Sequence, residues 1–126
     1  MPEGGRVRTP SQASQRVSLV RKCQLTFPDG RRGTAFIVNV SVVGAYLAMD
    51  ELPALGAQLS VGFTVPGNSR EILASGAVVW LNPRQQHPVH SLPPGVGLRF
   101  QGLADADRKR IEAFVRDHVS RKTSSR

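Results

Sequence analysis

The sequence predicts a mainly β fold: an antiparallel barrel or sandwich with one helix at its C-terminal end. Three observations carry this reading. Six short runs either alternate apolar with polar residues or are rich in Val, Ile and Phe. Gly, Pro, Asn and Asp cluster between the runs, as they do where hairpins connect the strands of an all-β domain. Past residue 101 the apolar spacing changes to that of a helix, and a single helix after the last strand buries its stripe by covering an open end or face of the sheet.

Residues 1–15 form a basic arm. Pro2, Gly4, Gly5 and Pro10 stand among Ser and Gln with no apolar period, which predicts a flexible segment. From Val17 to Phe27, the residues Val17, Leu19, Cys23, Leu25 and Phe27 share one alternating set, broken at Arg21, so the first strand is half-buried. Pro28-Asp29-Gly30 has the chemistry of a turn. Gly33 to Asn39 is the second strand, and Asn39-Val40-Ser41-Val42-Val43-Gly44 reads as a sharp turn into a short third strand, Ala45 to Met49.

Residues 50–56, with Pro53 and Gly56, form a loop. Ala57 to Val65 alternates clearly, and Pro66-Gly67-Asn68 closes it. Arg70 to Leu81 follows, with Val78, Val79 and Trp80 as its bulk. Four prolines between Asn82 and Pro94 exclude a central strand there and predict a long exposed loop. Gly95 to Gln101 is the sixth strand. Ile111, Phe114, Val115, His118 and Val119 then recur at helical spacing, with Asp105 and Asp107 in the first turn and Arg116 and Arg121 towards the far end, both favourable to the helix dipole. The tail, residues 120–126, is polar and expected to fray.

A chain of 126 residues, 40% of them hydrophobic, supports one domain with a modest core. No run approaches the roughly 18 apolar residues of a membrane span, and the first residues lack the apolar centre of a secretory signal peptide. One cysteine, Cys23, excludes an internal disulfide framework and fits a reducing compartment. The expectation is a cytoplasmic protein. The net charge is +8, with 14 Arg and 3 Lys. Arginine forks grip phosphate and the guanine edge bidentately and stack on flat rings, which lysine does not. That bias points to an anionic partner: nucleic acid, an acidic protein or a small phosphorylated ligand. Much of the charge lies in the tails and on one helix face, where solvation accounts for it.

Within the turn, Asn and Ser side chains can bond nearby amides, and Gly can supply a backbone conformation that other residues avoid. By itself this is the chemistry of a hairpin. In its setting the chain resembles the PilZ family. These are small bacterial domains with a six-stranded antiparallel barrel and a C-terminal helix. Their ligand motifs are an RxxxR stretch before the first strand and [D/N]xSxxG at a strand-to-strand turn. Asn39 to Gly44 matches the second motif in full, and Pro94-Gly95-Val96-Gly97-Leu98-Arg99-Phe100 resembles the family's late strand. The resemblance covers roughly residues 12–119, and it sets the domain at 16–119.

It implies binding of cyclic di-GMP, a signalling role through a protein partner and no enzymatic activity. The implied ligand residues are Gln12, Arg16, Asn39, Ser41 and Gly44. Arg16 takes the place of the second arginine of RxxxR, while Gln12 stands where the first is expected. Glutamine brings neither the charge nor the cationic fork. Losing one such charge-assisted contact costs on the order of 1.5–3 kcal/mol. Arg21-Lys22 and Arg31-Arg32 are nearby cations that could compensate in part, though each reads first as a solvated strand-end charge. The alternative is a PilZ fold that has lost the ligand and acts only as a protein-interaction adaptor.

Other chemistry is weakly signalled. His87 and His90 have no neighbouring Cys or acid to complete a metal site, and no metal or cofactor is expected. His118 lies on the helix stripe and reads as a packed or half-exposed residue. Cys23 falls on an apolar strand face and reads as core. No nucleophile elbow, P-loop or nucleic-acid reader motif frames the remaining candidates. Trp80 is expected in the barrel wall or core, or else at a partner surface.

Overall fold

The computed structural model describes residues 15–84 and 92–124. Six strands, β1 (Val17–Thr26), β2 (Arg32–Val40), β3 (Gly44–Ala48), β4 (Gln58–Val65), β5 (Asn68–Asn82) and β6 (Gly95–Leu103), precede one helix, α1 (Asp105–Ser124). The strands close into a barrel in the order β1-β2-β3-β6-β5-β4. Every neighbouring pair is antiparallel, including β1 with β4, which completes the ring. The barrel, not the sandwich, is therefore the outcome, closed where Gln24, Leu25 and Thr26 of β1 pair with Gly62, Val61 and Ser60 of β4.

The strand alternation works as the sequence reading expects. Inward residues such as Ile37, Leu47, Val96 and Leu98 have no exposed surface. The break at Arg21 has a specific cause. The β1–β2 register shifts between Ser18 and Arg21, although burial still alternates along β1, with Val20 outward and 71% exposed. The Arg21 guanidinium then donates to the Thr64 carbonyl at 3.2 Å and to its hydroxyl at 2.8 Å on β4. A β-bulge thus lets a cation occupy an inward-phased position without burying its charge unpaired.

Several boundaries move. β2 runs one residue further, through Val40, and Gly44 opens β3, so only residues 41–43 lie between the strands. β5 takes in Asn68 and Asn82 and reaches 15 residues. The helix continues to Ser124, past the point where the sequence predicts a frayed tail. His87 and His90, and the arm up to residue 14, lie outside the described residues.

The helix seals the barrel with Ile111 and Val115, both fully buried. Its register is fixed by Asp107, which is largely buried. One carboxylate oxygen accepts the Leu73 N–H of β5 at 3.2 Å, and the other accepts from Arg110. His118 is half-buried, tilted against Phe114 at 5.9 Å between ring centroids.

Cys23 is core, 1% exposed, and burial pushes its thiol up to about 11. The thiol of an unfolded chain ionises from about pH 8.5. The folded state holds the proton longer, so this contribution to stability is intact below that pH and is lost as pH rises towards the folded value. Burial also raises the Tyr46 phenol, which acts in the same direction at higher pH. Urea midpoints are therefore expected to fall between pH 8 and pH 11, and Cys23→Ala should flatten part of that slope. A midpoint independent of pH over this range would contradict it.

Candidate functional site

Arg16 stands at the mouth of β1, immediately before Val17. Its guanidinium donates to the Asn39 side-chain carbonyl at 3.0 Å, so residues 23 apart in sequence meet on the outer wall. Partial burial lowers the Arg16 pKa, yet an arginine stays charged. The result is a positioned cation with part of its hydration removed, a good partner for an incoming anion.

The other motif residues hold this geometry from behind. Ser41 is fully buried. Its hydroxyl oxygen accepts the Val43 N–H at 3.1 Å, and its own N–H donates to the Gly44 carbonyl at 2.8 Å. The hydroxyl is thus engaged in closing the turn. The turn is pinned to β6 by the Phe100 N–H, which donates to the Val43 carbonyl at 2.9 Å.

Gly44 does not need a left-handed backbone: positive φ is confined to Gly30, Gly56 and Gly67 among the described residues. It needs space. A Cβ there would collide with the Leu98 carbonyl oxygen of β6 and stand 3.3 Å from Nη2 of Arg16. Gly44→Ala is therefore expected to cost about 1–3 kcal/mol in a denaturation curve, the range for forcing an extra methyl into a packed site. It should also displace Arg16. An unchanged midpoint would show that the strands part freely.

The cross-strand register extends the site beyond its motif. Asn39 pairs with Tyr46, Tyr46 with Gly97, and Gly97 with Trp80. Tyr46 and Trp80 approach at 5.5 Å between ring centroids, tilted by 47°, and Trp80 lies over Gly97, where a side chain would meet its Cβ. Tyr46 is anchored by its hydroxyl, which donates to the Pro93 carbonyl and accepts from Asn82 at 2.9 Å. Trp80 is thus in the outer wall, 45% exposed. Tyr46 itself is buried, so it is Trp80, backed by Tyr46, that offers a flat face for stacking beside a cation and an amide. Sequence reasoning missed Tyr46 and Gly97 because their relation to Asn39 exists only across strands.

The cations that could have compensated lie elsewhere, in keeping with their reading as strand-end charges. Arg21 is held by Thr64. Arg31 pairs with Asp29 and lies over the Phe27 ring at 4.4 Å. Arg32 begins β2, seven residues from Asn39, or roughly 23 Å along the strand. Lys22 pairs with Phe36, further down the same wall. Gln12 lies outside the described residues.

Among the described residues no three His, Cys, Asp or Glu side chains are grouped to hold a metal ion, and no helix is long and apolar enough to cross a membrane.

The model of the PilZ domain matches residues 10–117, the whole barrel and most of the helix. The chain belongs to the PilZ domain family. Solved structures similar to this PilZ domain include the PilZ domain of CeSA from a cellulose-synthesizing bacterium. It is 13% identical with a TM-score of 0.58, over 84% of this chain and 99% of that one. The inhibitor of motility MotI/DgrA of Bacillus subtilis is 18% identical with a TM-score of 0.62, over 88% of this chain and 50% of that one. The PilZ domain of YcgR from Escherichia coli, solved with c-di-GMP, is 14% identical with a TM-score of 0.57, over 89% of this chain and 95% of that one. At these identities the likeness is one of fold. No curated protein matches the sequence.

Proposed function

We propose that this PilZ domain is a non-enzymatic receptor for cyclic di-GMP that passes the signal to a partner protein in the cytoplasm. The observation that carries the reading is the Arg16–Asn39 hydrogen bond at 3.0 Å. It joins the arginine before β1 to the strand-end motif on one patch of outer wall. The family match and the likeness to a domain solved with c-di-GMP support it. The ligand has two guanines and two phosphates. Arg16 offers a fork for phosphate or for guanine O6 and N7. Asn39 offers an amide to a base edge, and Gly44 leaves room beside it. Ser41 contributes by holding the turn. Binding would draw the arm, with Gln12, against this wall and change the surface a partner meets.

Calorimetric titration of the purified protein with cyclic di-GMP tests the proposal. Saturable heat is expected; none at tens of micromolar ligand would overturn it. That result would favour the ligand-independent adaptor, the reading to which Gln12 in place of an arginine lends weight.

A further inference from the structure

The wall described above has a second arginine that the motif does not include. Arg99 of β6 is paired in register with Gly44 of β3, which places their Cα atoms about 5 Å apart. Arg16 reaches the same glycine from the other side, its Nη2 standing 3.3 Å from where a Gly44 Cβ would be. The Arg16 side chain and the Arg99 backbone therefore meet beside one bare backbone position. Arg99 is exposed, on the face opposite the fully buried Leu98. Among the described residues it makes no ion pair or side-chain hydrogen bond, whereas Arg16 is tied to Asn39. Gly97, under the Trp80 ring, is two residues along the same strand and on the same face, roughly 7 Å away.

The charge around this pair is one-sided. The register row Gly44–Arg99–Ala77–Gln58 contains no carboxylate, and neither does the row Ser18–Asn39–Tyr46–Gly97–Trp80. Two like charges over an uncompensated patch repel each other and gain from a shared anion. Ion pairs satisfy the exposed arginines at other places on the barrel, such as Arg31 with Asp29 and Arg84 with Asp50.

We infer that Arg99 is a ligand-contacting residue of this site, supplying from β6 the second phosphate-binding cation that Gln12 does not supply from the arm. The inference rests on the cyclic di-GMP reading and deepens it. Arg16 and Arg99, next to Gly44 from the mouth of β1 and from β6, grip phosphate, while the exposed Trp80 ring takes a flat base.

The test is a calorimetric titration with cyclic di-GMP of the wild-type chain, Arg99→Ala, Arg99→Lys and Arg70→Ala, with thermal melts of each. Arg70 is an exposed cation near the β4–β5 hairpin, ten residues from Trp80 along β5, and serves as a control for net charge alone. Arg99→Ala is expected to weaken binding at least about tenfold with an unchanged melt, Arg99→Lys to weaken it less, and Arg70→Ala to stay within twofold. If Arg99→Ala fails to fold, Arg99→Gln keeps much of the bulk and carries the same expectation. Wild-type binding with Arg99→Ala within twofold of it would overturn the role of Arg99 and leave the receptor reading standing. A loss of equal size in Arg70→Ala would also overturn it, by showing a bulk charge effect. A wild-type chain that binds nothing overturns the receptor reading itself, and Arg99 with it.

Discussion

Arg16→Ala is expected to weaken cyclic di-GMP binding at least about 100-fold while leaving the barrel folded. Two losses combine. The direct contact of a guanidinium with an anion or base edge is worth about 1.5–3 kcal/mol as a charge-assisted hydrogen bond. The Asn39 amide also loses the donor that orients it at 3.0 Å, a further loss of about 1 kcal/mol. Together these amount to roughly two decades or more in affinity. Stability should change little, because Arg16 precedes β1 and its hydrogen bond is exposed. Calorimetry with a parallel melt separates the two effects. Binding within a few-fold of wild type would mean that Arg16 is not the arginine of the site. Arg16→Lys should fall between, since it retains charge without the fork.

Asp107→Ala is expected to destabilise the domain by about 3 kcal/mol, the largest stability effect of any surface-reaching residue in the helix. The carboxylate serves two partners, the Leu73 N–H at 3.2 Å and the Arg110 guanidinium. Its side chain and that of Arg110 are 13% and 18% exposed. Removing it leaves a β5 amide without its acceptor, about 1–3 kcal/mol, and a mostly buried arginine without its counter-charge, for which removing one partner of a buried pair costs about 3–5 kcal/mol. Partial exposure and the overlap between these losses bring the expected total to the lower end. For a domain of this size that is a fall in Tm of roughly 10–15 °C. Asp107→Asn keeps an acceptor for Leu73 and should recover part of the loss. A shift under about 3 °C for the alanine variant would show that Ile111 and Val115 alone seat the helix.

The two predictions differ in how far the sequence revealed them. Arg16 was picked out by its resemblance to the second arginine of RxxxR, placed just before an alternating strand, and alternation is a local property. The same locality gave the strands, the Pro-rich loop and the helix stripe. Asp107 was read only as a first-turn acid favourable to the dipole. Its bond to Leu73 spans 34 residues and depends on how the helix lands on β5. The Asn39–Tyr46–Gly97–Trp80 row was out of reach for the same reason: each step crosses between strands, and a slip of one residue would turn every member to the other face. Gly44 was half-legible. The left-handed conformation anticipated for it is absent, and its actual role, leaving space for the Leu98 carbonyl of β6, depends on a strand 54 residues away in sequence. The cations at Arg21, Arg31 and Arg32 were adjacent in sequence to the right strands but sit at other positions on the barrel, which composition and spacing do not reveal.

The buried hydroxyl of Ser41 and the bare Gly44 bear on how a motif of this kind can be used as a diagnostic. Both are demanded by the barrel: one closes the turn, the other lets β3 meet β6. A chain that had abandoned its ligand would still keep them in order to fold. The residues free to drift after such a loss are Asn39, Arg16 and Arg99, whose side chains face outward and carry little of the stability. On the proposed reading, Ser41 and Gly44 report that the barrel closes, and Asn39 and the two arginines report the ligand.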